Sequence, residues 1–210
     1  MYKRSQLDDT LNPYIALADL TINLIFVFVF MIAAILVVGE ISREREQRRY
    51  KKAQQIVAGA VSSAALPFRP QILPPEVRND PPGAQRWVFS ARATRGAPLF
   101  KDFTSAALTE RGQQSFLAFA QVLRSQIGGF RRIRIEGHTI PPKKGDPDNW
   151  ALSAQRAANV ANVFATEGRI PTYFLVVSAR GGQVLFNGSD GRPGDPANDR
   201  VEIVIEYNQK

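Results

Sequence analysis

Residues 130–157 read FRRIRIEGHTIPPKKGDPDNWALSAQRA. Arg132-Ile133-Arg134-Ile135-Glu136 alternates with period two, which predicts a strand with one buried face. A polar loop with Pro141, Pro142, Gly145 and Pro147 follows. Leu152–Glu167 then takes the helical period and stops at Gly168. This strand–loop–helix unit decides the fold, because the flanking segments repeat its logic. Upstream, Trp87–Ala91 predicts a strand, and Thr109-Glu110-Arg111-Gly112 opens a helix with one apolar stripe that ends at Gly128-Gly129. Downstream, Tyr173–Ala179 and Val201–Tyr207 predict strands separated by a Gly- and Pro-rich loop over Gly181–Ala197. The order β-α-β-α-β-β implies an α+β domain over 86–210, with helices packed on a small mixed sheet.

Outside that domain the composition changes. Leu20–Gly39 (LTINLIFVFVFMIAAILVVG) carries no charge. As a helix it spans roughly 30 Å, the hydrocarbon thickness of a bilayer. A cleaved signal peptide would have a shorter apolar core and a small-x-small site after it. Glu40-Ile41-Ser42-Arg43 is no such site, so residues 14–39 are expected to be an uncleaved transmembrane helix behind a tail at 1–13. Residues 40–66 are expected to continue as a juxtamembrane helix. Six prolines in the sixteen residues Pro67–Pro82 mark 67–85 as a stiff extended linker.

The whole chain has 210 residues, 27 Lys+Arg against 19 Asp+Glu, one His and no Cys. Without cysteine there are no disulfides, thiolate metal sites or thiol nucleophiles. One histidine removes a multi-histidine metal site, and no metal is expected. A pI near 10.1 points to an anionic partner. The basic residues are scattered, with no aromatic-interleaved basic stripe, and a membrane span precedes the domain, so nucleic acid is not expected. There is no G-x-x-x-x-G-K-S/T loop or G-x-S-x-G elbow, and enzyme chemistry is not expected. Arg180-Gly181-Gly182-Gln183 reads as a turn.

Four motifs resemble OmpA-like domains. They are Phe103–Gly112 at the first junction, Ile135-Glu136-Gly137-His138-Thr139, Asn149-x-x-Leu152-Ser153-x-x-Arg156-Ala157, and Asn198-Asp199-Arg200-Val201-Glu202-Ile203. The resemblance implies binding of peptidoglycan, with the diaminopimelate of the stem peptide in a groove. The residues it points to are His138, Thr139, Asn149, Leu152, Ser153, Arg156 and Arg200. Arg156 has the planar fork that suits a carboxylate, and the helix N-terminus near Asn149–Ser153 adds donors. The family's Asp after G-H-T is Ile140 here; Asp146 and Asp148 are the nearest acids in the loop. Plainer readings stand beside these: His138 tying down a loop, Arg200 in a structural salt bridge, Leu152 in the core, Ser153 as a helix cap.

At the N-terminus, Tyr14-Ile15-Ala16-Leu17-Ala18-Asp19-Leu20-Thr21 resembles the start of the membrane helix in MotB-type stator subunits. The layout of tail, span, juxtamembrane segment, linker and OmpA-like domain matches as well. The resemblance implies an ion-driven rotary motor. Asp19 would be the carboxylate that carries H+ or Na+, the transported ion being the only small species involved. Thr21 and Asn23, one turn further on, would join its polar side, and Tyr14 would lie near the interface. It also implies a homodimer, a MotA-like multi-span partner in five copies, and a bacterial inner-membrane location with the N-terminus cytoplasmic and the C-terminal domain periplasmic. Residues 53–66 are expected to plug the channel. The ZorB-type subunits of Zorya anti-phage defence systems share this layout, so defence is an alternative setting to flagella. A passive tether to peptidoglycan is the alternative function. The basic residues at 43–52 exceed those at 1–19, which by the positive-inside rule alone favours the opposite orientation. The domain resemblance outweighs that statistical bias.

Overall fold

The structure, a computed structural model, describes residues 13–73, 80–90, 98–141, 149–186 and 196–208. The chain divides into two compact units, Met1–Gln47 and Arg48–Lys210. The described part of the first unit is all helix. It belongs to α1 (Pro13–Ser63), long and apolar enough by length and composition to cross a membrane. Every residue described from Tyr14 to Arg49 is exposed, including the whole uncharged run Leu20–Gly39.

The second unit holds the end of α1 and a five-stranded sheet. The strands are β1 (Gln71–Leu73), β2 (Gln85–Ser90), β3 (Phe130–His138), β4 (Leu175–Ala179) and β5 (Arg200–Tyr207). Their order is β1-β2-β5-β3-β4; β3 and β4 are parallel and every other pair antiparallel. Helices α2 (Glu110–Ser125) and α3 (Trp150–Thr166) supply the core with Phe116, Phe119, Leu123, Val160 and Phe164. The sheet meets them with Trp87, Phe89, Ile133, Ile135, Val201, Ile203 and Ile205. Edge-to-face contacts of Phe119 with Trp87 and Phe89, at 5.5 and 5.2 Å between ring centres, tie α2 to β2. The expected β-α-β-α-β-β order is present, preceded by β1.

Local chemistry accounts for the boundaries. Thr109 caps α2 by accepting a hydrogen bond from Gly112 N–H at 3.1 Å. Gly137 lets β3 approach α3 closely, since a Cβ there would lie 2.0 Å from the Ser153 carbonyl oxygen.

Two expectations are corrected. The stretch 67–85 is not simply an extended linker: Phe68 is in the core and Gln71–Leu73 pairs with Arg86–Val88. Gln71–Leu73 is free of proline, and a three-residue edge strand tolerates prolines on its flanks. The compact unit also begins well before residue 86. Tyr50, Val57 and Val61 form one apolar stripe on α1 and are buried in the domain core. Tyr50 packs over Gly83, whose φ of +77° and missing Cβ make room for the ring. Gln54 donates to the carbonyls of Gly83 and Ala84 at 3.0 and 3.4 Å. Val57 and Val61, which a membrane plug at 53–66 would have to offer, are thus used by the domain. The tail at 1–12, Asp146 and Asp148 lie outside the described residues.

Candidate functional site

In the first unit Asp19, Thr21 and Tyr14 all lie on α1. Asp19 accepts a hydrogen bond from Asn23 Nδ2, one turn on, at 3.3 Å. Thr21 instead donates to the Leu17 carbonyl at 2.8 Å. Residues two apart on a helix do not share a face, so the polar partner beside Asp19 is Asn23, not Thr21. Tyr14 is 78% exposed, in keeping with an interfacial aromatic.

In the second unit the expected wall-binding residues collect where β3 ends and α3 begins. Thr139 N–H donates to Gly181 O at 2.9 Å, and Ser153 Oγ accepts from Gly181 N–H at 3.1 Å while donating to Trp150 O at 2.9 Å. His138 stands opposite Arg200 in the β3–β5 register. Asn149 caps α3 without a side-chain cap bond and is exposed; Leu152 is half-buried. His138, Thr139, Ser153, Arg156 and Arg200 are all buried, so Asn149, Leu152 and the neighbouring Trp150 form the accessible rim.

Arg156 sits behind this rim with its donors spent inside. It pairs with Asp199, donates to the carbonyls of Ser105 and Phe103 at 3.1 and 3.0 Å, and lies 4.4 Å from the Phe100 ring centre. The carboxylate expected from a ligand is therefore supplied by the chain. Asp199 lies in the last of the four motifs, but nothing in its spacing showed that it would face Arg156, 43 residues earlier. Arg200 pairs with Glu202 and donates to the carbonyls of Asn198 and Val184, both at 3.1 Å, which favours the structural reading.

The face of the sheet turned away from α2 and α3 holds a charged cluster. Strand alternation puts Arg86, Arg134, Glu136, His138, Arg200, Glu202 and Glu206 on that face. Glu136 and Glu202 are direct cross-strand partners, a repulsive arrangement relieved by Arg86, whose Nη1 reaches both. Asp80 accepts from Arg86 and Arg134, at 2.6 and 2.7 Å. Burial alone would raise the Glu136 carboxyl, but the Arg180 and Arg86 guanidiniums bonded to it hold it well below the usual carboxylate range. Burial pushes His138 below its usual value and outweighs the nearby carboxylates.

Glu136, His138 and Glu202 offer three ligand atoms within 4.8 Å of one another. Arg86 and Arg200 bond those same two carboxylates, so a divalent cation would be seated against two guanidiniums. Arg180, read from sequence as part of a turn, reaches Glu136 at 2.9 Å. Alternation alone would assign this face to solvent. Its burial is a property of the assembled sheet.

Residues 100–199 match the OmpA family. A protein described as a truncated flagellar export/assembly protein, LafU, of Escherichia coli K12 is 28% identical over 114 residues, 51% of this chain and 53% of that protein. The chain spans about half the length of the curated relatives it matches there and in Bacillus subtilis. A crystal structure described as a MotB-like protein from Desulfovibrio vulgaris aligns over 81% of this chain and 98% of its own, at 19% identity and a TM-score of 0.53. The periplasmic domain of Helicobacter pylori MotB (residues 97–256) aligns over 60% of this chain and 83% of its own, at 21% identity and a TM-score of 0.48.

Proposed function

We propose that the protein is a MotB-type stator subunit, because residues 100–199 match the OmpA family and the same chain carries one long apolar helix. In this reading α1 crosses the inner membrane with its N-terminus in the cytoplasm, and the domain stands on the wall side. Two chains form the core of a complex with a multi-span, MotA-like partner. Ion passage, of H+ or Na+, turns one part against the other. The observation that carries the reading is the Asp19–Asn23 pair at the mouth of the uncharged run. A carboxylate there is costly as an anion, by roughly 2.5–3.5 kcal/mol at a helix centre and less near an end. A membrane anchor gains nothing from that cost, whereas a proton or sodium relay requires such a group. Flagellar rotation and anti-phage defence of the Zorya type are the two settings this machine fits.

Wall attachment is the second part of the reading. Peptidoglycan would meet the rim of Asn149, Trp150 and Leu152, with Thr139 and Ser153 behind it. Arg156 would support that rim from within, through the loop carbonyls it holds.

The test is ion conductance of the chain co-expressed with its multi-span partner, wild type against Asp19→Asn. A current that Asp19→Asn abolishes is expected. Absence of current in every form, together with retention on isolated peptidoglycan that Asn149→Ala and Trp150→Ala weaken, would make the protein a passive tether.

A further inference from the structure

The charged face of the sheet borders a cavity of about 240 Å³ whose polar lining is Asp80, Arg86, Arg134, Glu136, His138 and Arg180. Neither the membrane reading nor the wall rim uses it. Its carboxylates are already satisfied: Asp80 by Arg86 and Arg134, Glu136 by Arg86, Arg134 and Arg180. Its hydrogen-bond donors are not. His138 is 1% exposed, yet neither ring nitrogen has a hydrogen-bond partner. Its Nε2 stands 3.8 Å from Glu136 and 3.6 Å from Glu202, beyond hydrogen-bonding distance. Arg180 is 42% exposed and reaches Glu136 through one nitrogen, leaving the rest of a five-donor fork for the cavity mouth.

The charges point the same way. The lining sets three guanidiniums against two carboxylates, and the adjoining Glu202 is shared between Arg200 and Arg86. Glu206, 3.6 Å from Arg134, is outside the lining. A buried polar group without a partner is costly, so the site favours a ligand that accepts hydrogen bonds and brings negative charge. The cavity is smaller than the ~300–1,000 Å³ of sites for drug-sized molecules, so it takes a head group and not a large ligand.

We propose that this cavity binds a small oxyanion, of carboxylate or phosphate type, which enters past Arg180 and is hydrogen-bonded by Arg180 and His138. Arg180 supplies the charge-assisted contact and His138 the buried end of the site. The site is independent of the stator reading, since it uses neither Asp19 nor the wall rim.

His138 is the protein's single histidine, so its ring signals report the site without ambiguity. The full chain, ring-labelled at histidine and held in lipid nanodiscs, is titrated with acetate and with inorganic phosphate against sodium chloride of equal ionic strength. A saturable shift of the His138 signals by acetate or phosphate is expected, and whichever acts more strongly identifies the oxyanion type. Arg180→Gln should weaken that binding about tenfold or more, the effect of losing one charge-assisted hydrogen bond. No shift with either anion, or equal binding in Arg180→Gln, overturns the proposal. A parallel titration with zinc ion alone covers the other chemistry: a shift with zinc and none with anions would reassign Glu136, His138 and Glu202 as a metal site.

Discussion

Two residues show how burial converts side-chain identity into stability. His138 has a pKa lowered by burial, with Glu136, Glu202, Arg86 and Arg200 facing it. The unfolded chain therefore binds a proton near pH 6.5 that the folded chain refuses. The His138 contribution is complete above that pH and is lost as pH falls through it toward the folded value. The slope is at most about 1.4 kcal/mol per pH unit. The depressed carboxyls of Glu136 and Glu202 act in a lower window, beginning below their unfolded values near pH 4.3. Urea midpoints of the wild type should fall between pH 7 and pH 5, and those of His138→Asn should fall less. Parallel declines would refute the assignment. Asp199 is the complementary case. Removing it leaves Arg156 charged, buried and unpaired, so Asp199→Ala should cost about 3–5 kcal/mol in equilibrium unfolding. Asp199→Ala with Arg156→Met should recover part of that loss. A single variant as stable as wild type would show that the pair has no structural role.

Among the elements, α1 carries two chemistries in one continuous helix. Its first part is apolar on all sides and exposed; its last turns are amphipathic and contribute Tyr50, Val57 and Val61 to the domain core. Tyr50 on Gly83 and Gln54 on the Gly83 and Ala84 carbonyls hold those turns against the segment leading into β2. Tyr50→Ala removes a buried aromatic and should cost about 3–5 kcal/mol. If docking is local, hydrogen exchange will rise first at 48–63 and stay low in β3 and β5. Uniform exchange across the domain would mean that this helix end is part of the global core. Strand β4 shows a different influence of context: as the edge of the sheet it leaves Val177 45% exposed, although its sequence is as apolar as that of a central strand.

For the whole molecule, orientation decides whether the domain meets a wall at all. Basic residues after the apolar helix favour one topology, and the match of residues 100–199 to the OmpA family the other. The absence of native cysteine makes the question clean, because a single introduced thiol is the only one in the chain. Tyr173 is 79% exposed, so Tyr173→Cys should be labelled in intact spheroplasts by a membrane-impermeant maleimide. Labelling only after lysis would place the domain in the cytoplasm and end the wall-attached reading.

The sequence by itself determined the apolar helix, the strand and helix order of the domain, and the resemblance of its four motifs, because each is written in local periodicity and spacing. Strand Arg132–Glu136 and helix Leu152–Glu167 lie within β3 and α3 to a residue or two at most ends. Asp19, Arg156 and His138 were singled out by type and position. The partner of Arg156 was not, because it depends on which distant residues the fold brings near. That Asp199 fills the fork of Arg156, that Arg86 bridges two glutamates 50 and 116 residues away, and that Tyr50 belongs to the domain core are long-range facts. Alternation marks one side of β3 and β5 as charged, but whether that side meets water or is enclosed depends on the packing of the whole sheet. Only the tertiary structure enclosed it, and so left His138 buried with its hydrogen bonds unmet.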